Sequence, residues 1–101
     1  MIVYNITMKV DASIETAFVE WLQDVHLPQV LATGCFTSSR LMRLLEVDDS
    51  EGPTFAVQFT APTTWHYEKY LKVSDEIHRK TTQELWGNRY IAFRSVMELV
   101  Q

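Results

Sequence analysis

The hydrophobic period of this chain switches between two residues and 3.6 residues in one particular order, and that order leaves few folds open. Ile2, Tyr4, Ile6, Met8 and Val10 alternate with Val3, Asn5, Thr7 and Lys9, the repeat of a strand with one apolar face. Ile14, Ala17, Phe18, Trp21, Leu22 and Val25 then recur at steps of three and four, one stripe along a helix. Asp11 or Ser13 can cap that helix, and Glu15 suits the positive end of its dipole. Pro28 lacks an N–H, clashes with the carbonyl four residues back and biases Leu27 away from helical geometry. The spacing therefore predicts a kink with His26 just before it. A short turn follows through Ala32, and Gly34 ends it in the left-handed conformation.

Residues 36–47 read as a second strand with apolar residues on both faces, and Asp48 to Pro53 as an acidic turn. Phe55, Val57 and Phe59 alternate with Ala56, Gln58 and Thr60 in a third strand, which makes a long-looped hairpin. Past Pro62, a second helical stripe runs through Tyr67, Tyr70, Leu71, Ser74, Ile77, Thr81 and Leu85. It is weakest at Ser74, where Ser74-Asp75-Glu76 would suit a fresh cap and two helices at an angle. After Gly87, Ile91, Phe93, Ser95, Met97 and Leu99 alternate with Tyr90, Ala92, Arg94, Val96 and Glu98 in a last strand.

The order β-α-β-β-α-β is the split arrangement of ferredoxin-like α+β folds. Right-handed crossovers predict an antiparallel sheet ordered four-one-three-two, with both helices on one face. At 101 residues the chain fits one domain, 1–101, of a size that is only marginally stable alone. The apolar strand faces are expected to meet the helices. The opposite face then carries Asn5, Thr7, Gln58 and Arg94 among apolar neighbours such as Val3 and Val96. A second copy docked sheet to sheet would cover it, so a homodimer is expected with those four residues at the interface.

The net charge of −4 disfavours nucleic acid and anionic membranes as partners, since both attract basic surfaces. Cys35 is the one cysteine, so no internal disulfide can form, as fits a reducing compartment. The opening Met-Ile-Val-Tyr-Asn-Ile has no secretory pattern, and no run approaches the ~20 apolar residues of a membrane span. A cytoplasmic protein is expected. There is no phosphate-cradling glycine loop, no serine elbow and no paired-carboxylate signature. His26, His66 and His78 show no metal spacing, and no cofactor or metal is expected.

The opening Met-Ile-Val-Tyr-Asn, Trp21 with His26-Leu27-Pro28, the run Ala32-Thr33-Gly34-Cys35-Phe36-Thr37-Ser38, and Ile91-Ala92-Phe93-Arg94 together resemble a bacterial family of small proteins of unknown function. That resemblance covers nearly the whole chain. Members of the family resemble in turn the dimeric α+β-barrel superfamily, which includes small monooxygenases, stress-responsive barrel proteins and mutarotase-like and dehydratase-like enzymes. The tie to the superfamily is one of fold order, which does not by itself transfer an activity.

His26 lies at the border of the apolar stripe, roughly 110° from its centre at ~100° per residue. It is placed either to act as acid or base in a pocket between helix and sheet, or to cap a carbonyl freed by Pro28. The resemblance implies the first, because a first-helix histidine lines the pocket in some superfamily members. Tyr67 and Tyr70 would form the pocket wall, and Phe55 and Phe93 its floor; at helical spacing the tyrosines serve equally as core. Arg94 is either an anion holder or an interface ion pair with Glu46 or Glu98 of a second copy. Cys35, with no base at a defined spacing, reads as a small packing residue. Two functions stay open: binding or transforming a small organic molecule in that pocket, and a non-catalytic homodimeric interaction or regulatory module.

Overall fold

In the computed structural model, which describes residues 1–101, strand β1 (Ile2–Val10) turns Tyr4, Ile6, Met8 and Val10 inward, all buried. It pairs antiparallel on one side with β3 (Thr54–Ala61) and on the other with β4 (Tyr90–Glu98). Strand β2 (Ser38–Arg43) pairs with β3 and completes the order β2-β3-β1-β4. This is the four-one-three-two order that right-handed crossovers predict, and the fold is α+β, ferredoxin-like. Two helical runs, residues 15–32 and 64–86, cover one face. Phe18 from the first is fully buried against Trp86 at the end of the second, ring centroids 5.1 Å apart. No helix is long and apolar enough to cross a membrane.

Strand β2 is shorter than its apolar run. Phe36 leaves the ladder to pack between Phe59 (5.3 Å) and Tyr70 (4.8 Å), and past Leu44 the chain turns, with Glu46 at φ 58°. The 44–53 loop then folds back onto the end of β1, where Val10 and Ala12 donate to Pro53 and Glu51 carbonyls at 2.9 and 3.0 Å. Gly52 (φ 147°) lies against this seam, and a Cβ there would fall onto the Val10 carbonyl and within 2.7 Å of the Ala12 nitrogen. Gly52→Ala is therefore expected to pry the loop from β1 and destabilise the chain by about 1–3 kcal/mol. Thermal denaturation reads this as a Tm loss of about 4–8 °C per kcal/mol.

Both helices pass through one wide i→i+5 turn. The first is α-helical over Glu15–Trp21, wide over Leu22–His26, where Leu27 N–H donates to the Leu22 carbonyl, and α-helical again over Leu27–Ala32. Leu27 keeps helical dihedrals (φ −59°, ψ −46°), so Pro28 does not break the helix as its chemistry predicts. The extra residue in the wide turn moves the opposing carbonyl away from the ring and absorbs the missing N–H. The second helix is α-helical over Thr64–Tyr70, wide over Leu71–Asp75, and α-helical over Glu76–Trp86. It does not split at Ser74. Asp75 has helical dihedrals and caps nothing, because its carboxylate is engaged by the sheet.

Each wide turn inserts one residue and so rotates the following stripe by about 100°. In the first helix the inward row runs Phe18, Leu22, then Leu27 and Val30, while Val25 is left exposed. In the second it runs Tyr70, Asp75, then Thr82 with His78 half-buried, while Ile77 and Leu85 face solvent.

Strand β4 is turned over relative to the sequence expectation. Ile6 pairs with Arg94 and Thr7 with Phe93, so Tyr90, Ala92 and Arg94 face the helices while Ile91, Phe93 and Met97 face outward. Apolar residues alternate on both sides of this strand, and with a period of two, a one-residue choice exchanges its faces.

Candidate functional site

A narrow cleft opens between the helices and the β1–β4 half of the sheet, just where both helices widen. One lobe, with free space of ≈ 20 Å³, is apolar and lined by Met8, Trp21, Leu22, Val57, Tyr90 and Ala92. The other, also with free space of ≈ 20 Å³, is polar and lined by Tyr70, Asp75, His78 and Arg79; each lobe as it stands has room for about one water molecule. Ile6, His26, Thr82 and Arg94 belong to both lobes. His26 ends the first wide turn and Asp75 ends the second. The rotations that expose Val25 and Ile77 are thus what bring polar groups into an otherwise apolar space.

On the polar side Tyr4, 1% exposed, donates its hydroxyl to Asp75 Oδ1 at 2.7 Å, and Arg79 Nε donates to Asp75 Oδ2 at 2.6 Å. Burial, reinforced by the bond to Asp75, pushes the Tyr4 hydroxyl up to about 12. Beside them Tyr70 OH lies 2.7 Å from His78 Nδ1. Burial and then the Asp75 charge raise the Tyr70 phenol above its ordinary range, and burial lowers His78.

The His26 ring stacks on Trp21 (centroids 4.7 Å, 20°) and meets His78 edge to face at 5.8 Å. Burial first, then the charges of His78 and Arg94, push its pKa down from 6.5 to about 4. His26 is therefore neutral in the native cleft, and between pH 6.5 and 4 the unfolded chain binds the extra proton. Its contribution to stability is complete above pH 6.5 and is lost as pH falls to 4, a change of about 3 kcal/mol. Urea unfolding at pH 7 and pH 4.5 is expected to show wild type losing more stability than His26→Gln. Equal losses would mean that the ring is not held neutral.

Arg94 completes the site. Its Nε is buried with no hydrogen-bond partner, and no carboxylate lies within ion-pair distance of it, Asp75 being paired with Arg79. Burial raises Tyr4, Tyr70 and Tyr90 and lowers His26; the charge of Arg94 works against the first effect and adds to the second. The polar lobe thus holds two cations, Arg79 and Arg94, against the single carboxylate of Asp75.

Of the residues singled out from the sequence, His26, Tyr70 and Arg94 meet in this cleft. Four expected placements, those of Arg94, Phe93, Phe55 and Tyr67, are corrected. Arg94 is on the helix side, not on the open face with Asn5, because of the β4 inversion. Phe93 is correspondingly on the open face, 67% exposed, and not in the pocket floor. Phe55 is buried in the core opposite Met8, beyond the lobes, whose floor is Ile6, Met8, Val57 and Ala92. Tyr67 packs on Tyr4 (5.4 Å) and lines neither lobe. Asn5, Thr7 and Gln58 lie on the open face; Asn5 Nδ2 donates to Thr7 Oγ1 (3.0 Å) and to Ser95 Oγ (3.3 Å), so Ser95 holds the place assigned to Arg94. Cys35 is buried beside Thr33.

Sequence reasoning missed Asp75, His78, Arg79 and Thr82. The i,i+4 spacing of Asp75 and Arg79 is an ion-pair signal, and a tyrosine at Tyr4 in a buried strand asks for a hydroxyl partner. The wide turn that aims both groups inward leaves no such trace. No group of three or more His, Cys, Asp or Glu is placed to hold a metal ion.

A protein-family model described as a domain of unknown function (DUF4286) matches residues 1–100. No curated protein matches the chain. Among solved structures, an ETHD-family protein from Bacillus halodurans superposes with a TM-score of 0.73 at 13% identity, covering 99% of this chain and 100% of its own. A dimeric ferredoxin-like protein from an uncultured marine organism gives 0.72 at 12%, covering 99% and 94%. A monooxygenase from Streptomyces coelicolor, solved in complex with nanaomycin D, gives 0.59 at 12%, covering 99% and 89%. At such identities the likeness is one of fold.

Proposed function

The chain belongs to the DUF4286 family, and from the chemistry of its cleft we propose that it binds a small organic anion, acting as a homodimer. The observation that carries the reading is the buried, unpartnered Nε of Arg94 beside the neutral ring of His26. A buried N–H donor without an acceptor is costly, and a carboxylate would satisfy it. The adjoining lobe is lined by Met8, Leu22, Val57 and Ala92, side chains that part to admit an apolar body on that carboxylate. A bound anion offsets the charge of Arg94, the least of the three causes that lower His26, while burial, the largest, stays in place. His26 is therefore a neutral hydrogen-bond acceptor in the loaded cleft as in the empty one. Tyr70 is a wall of the site through His78.

The homodimer rests on the open sheet face, where Ile91, Phe93 and Met97 on β4 lie exposed beside Asn5, Thr7 and Gln58. The description of one structural neighbour as dimeric supports it. Light scattering at micromolar concentration is expected to read twice the 11.8 kDa chain mass; the chain mass alone would remove the dimer from this reading.

Phenylacetate and its uncharged analogue 2-phenylethanol test the anion site by isothermal titration. Wild type is expected to bind phenylacetate, to bind 2-phenylethanol about 10-fold or more weakly, and to lose the acid when Arg94 becomes leucine. No binding of the acid, or equal binding by Arg94→Leu, overturns the proposal.

A further inference from the structure

The polar lobe carries a second imidazole whose orientation of charge is set by its neighbour. Tyr70 is 2% exposed, and its hydroxyl has one hydrogen-bond partner in the chain, His78 Nδ1 at 2.7 Å. A buried hydroxyl that accepted from Nδ1–H would leave its own proton unbonded, which is the costlier arrangement. The phenol is also held firmly protonated by its burial. Tyr70 is therefore the donor and Nδ1 the acceptor, which puts the ring proton of neutral His78 on Nε2. Thr82 Oγ1, donating to the His78 carbonyl at 2.8 Å, fixes the backbone that carries the ring.

His78 and His26 meet edge to face with centroids 5.8 Å apart, and Arg94 lines the same lobe. Resting on the anion site proposed above, we infer that His78, presented as its Nε2–H tautomer by Tyr70, is a ligand-contacting residue and that the cleft is selective for 2-hydroxy carboxylates. The carboxylate lies on Arg94. The neighbouring hydroxyl accepts from His78 Nε2–H and donates to the free nitrogen of His26. A simple carboxylate satisfies Arg94 and leaves both imidazoles unanswered, so the selectivity comes from the histidine pair and the affinity from the arginine.

Mandelate and phenylacetate differ by that hydroxyl alone. Wild type is expected to bind mandelate at least about 5-fold more tightly, in line with one added buried hydrogen bond. His78→Asn should erase the preference of mandelate over phenylacetate. Tyr70→Phe should weaken the preference without removing it. Imidazole ¹⁵N shifts of the free full-length chain should show His78 as the Nε2–H form, and a mixture of tautomers in Tyr70→Phe. The Nδ1–H form in wild type overturns the inference whatever binds. If phenylacetate binds through Arg94 and mandelate binds no better, the anion site stands and the hydroxy-acid inference falls. If neither acid binds, both fall.

Discussion

Arg94→Leu is expected to yield a protein that is more stable than wild type and has lost its ligand. The substitution removes a buried donor that has no acceptor in the chain and fills its place with carbon against Ile6 and Ala92. Leaving such a donor unmade costs about 1–3 kcal/mol, so relief of that order should appear as a higher urea midpoint and a Tm raised by about 4–8 °C per kcal/mol. Phenylacetate affinity should fall by about 10–100-fold, the worth of a charge-assisted bond to a carboxylate. An arginine that only supported the fold would give the opposite sign of stability change. A protein that keeps a destabilising cation in its cleft is behaving as binding sites do, with strain retained for function.

The largest loss of stability from a polar residue is expected at Asp75. Its carboxylate accepts from Tyr4 at 2.7 Å and from Arg79 at 2.6 Å, with its side chain 11% exposed. Asp75→Ala strands a fully buried phenol, at about 1–3 kcal/mol, while the Arg79 side chain, 48% exposed, turns to solvent. Asp75→Asn keeps an acceptor for Tyr4 and should lose less. Tyr4→Phe in the Asp75→Ala background removes the orphaned hydroxyl, so the double variant should recover part of the loss, and the departure from additivity measures the coupling. Strict additivity would mean that the two groups do not depend on each other.

The wide turn in the second helix follows from the same contact. Without one extra residue between Tyr70 and Glu76, the inward position would fall on Ser74, as the continuous helical period predicts. With it, Asp75 swings in to meet Tyr4, and the following turns bring His78 and Thr82 inward while Ile77 and Leu85 go out to solvent. Trading two apolar side chains for a hydrogen-bonded carboxylate and an imidazole makes sense where the space they enter is a site. The first helix carries a local cause for its wide turn, Pro28. The second has no proline or glycine there, and its turn is held by tertiary hydrogen bonds.

The order of periodicities determined the fold. Alternation in β1 and β3 named the buried residues Tyr4, Ile6, Met8, Val57 and Phe59 correctly, because strands with one apolar face have a single way to bury it. The same order, with the handedness of crossovers, determined that β1 and β3 sit in the middle of the sheet, and it placed His26 at the edge of the core. The tertiary structure alone decided which face of β4 turns inward, since both of its faces are apolar enough to be buried and the choice moves Arg94 from the open face to the cleft. It also decided the register of both helices past their wide turns, since a helix's period can be read from sequence only while it stays at 3.6. The site is made of these two undecided features. One strand face and two inserted residues bring Arg94, His26, Asp75 and His78 together, and no spacing in the sequence records their meeting.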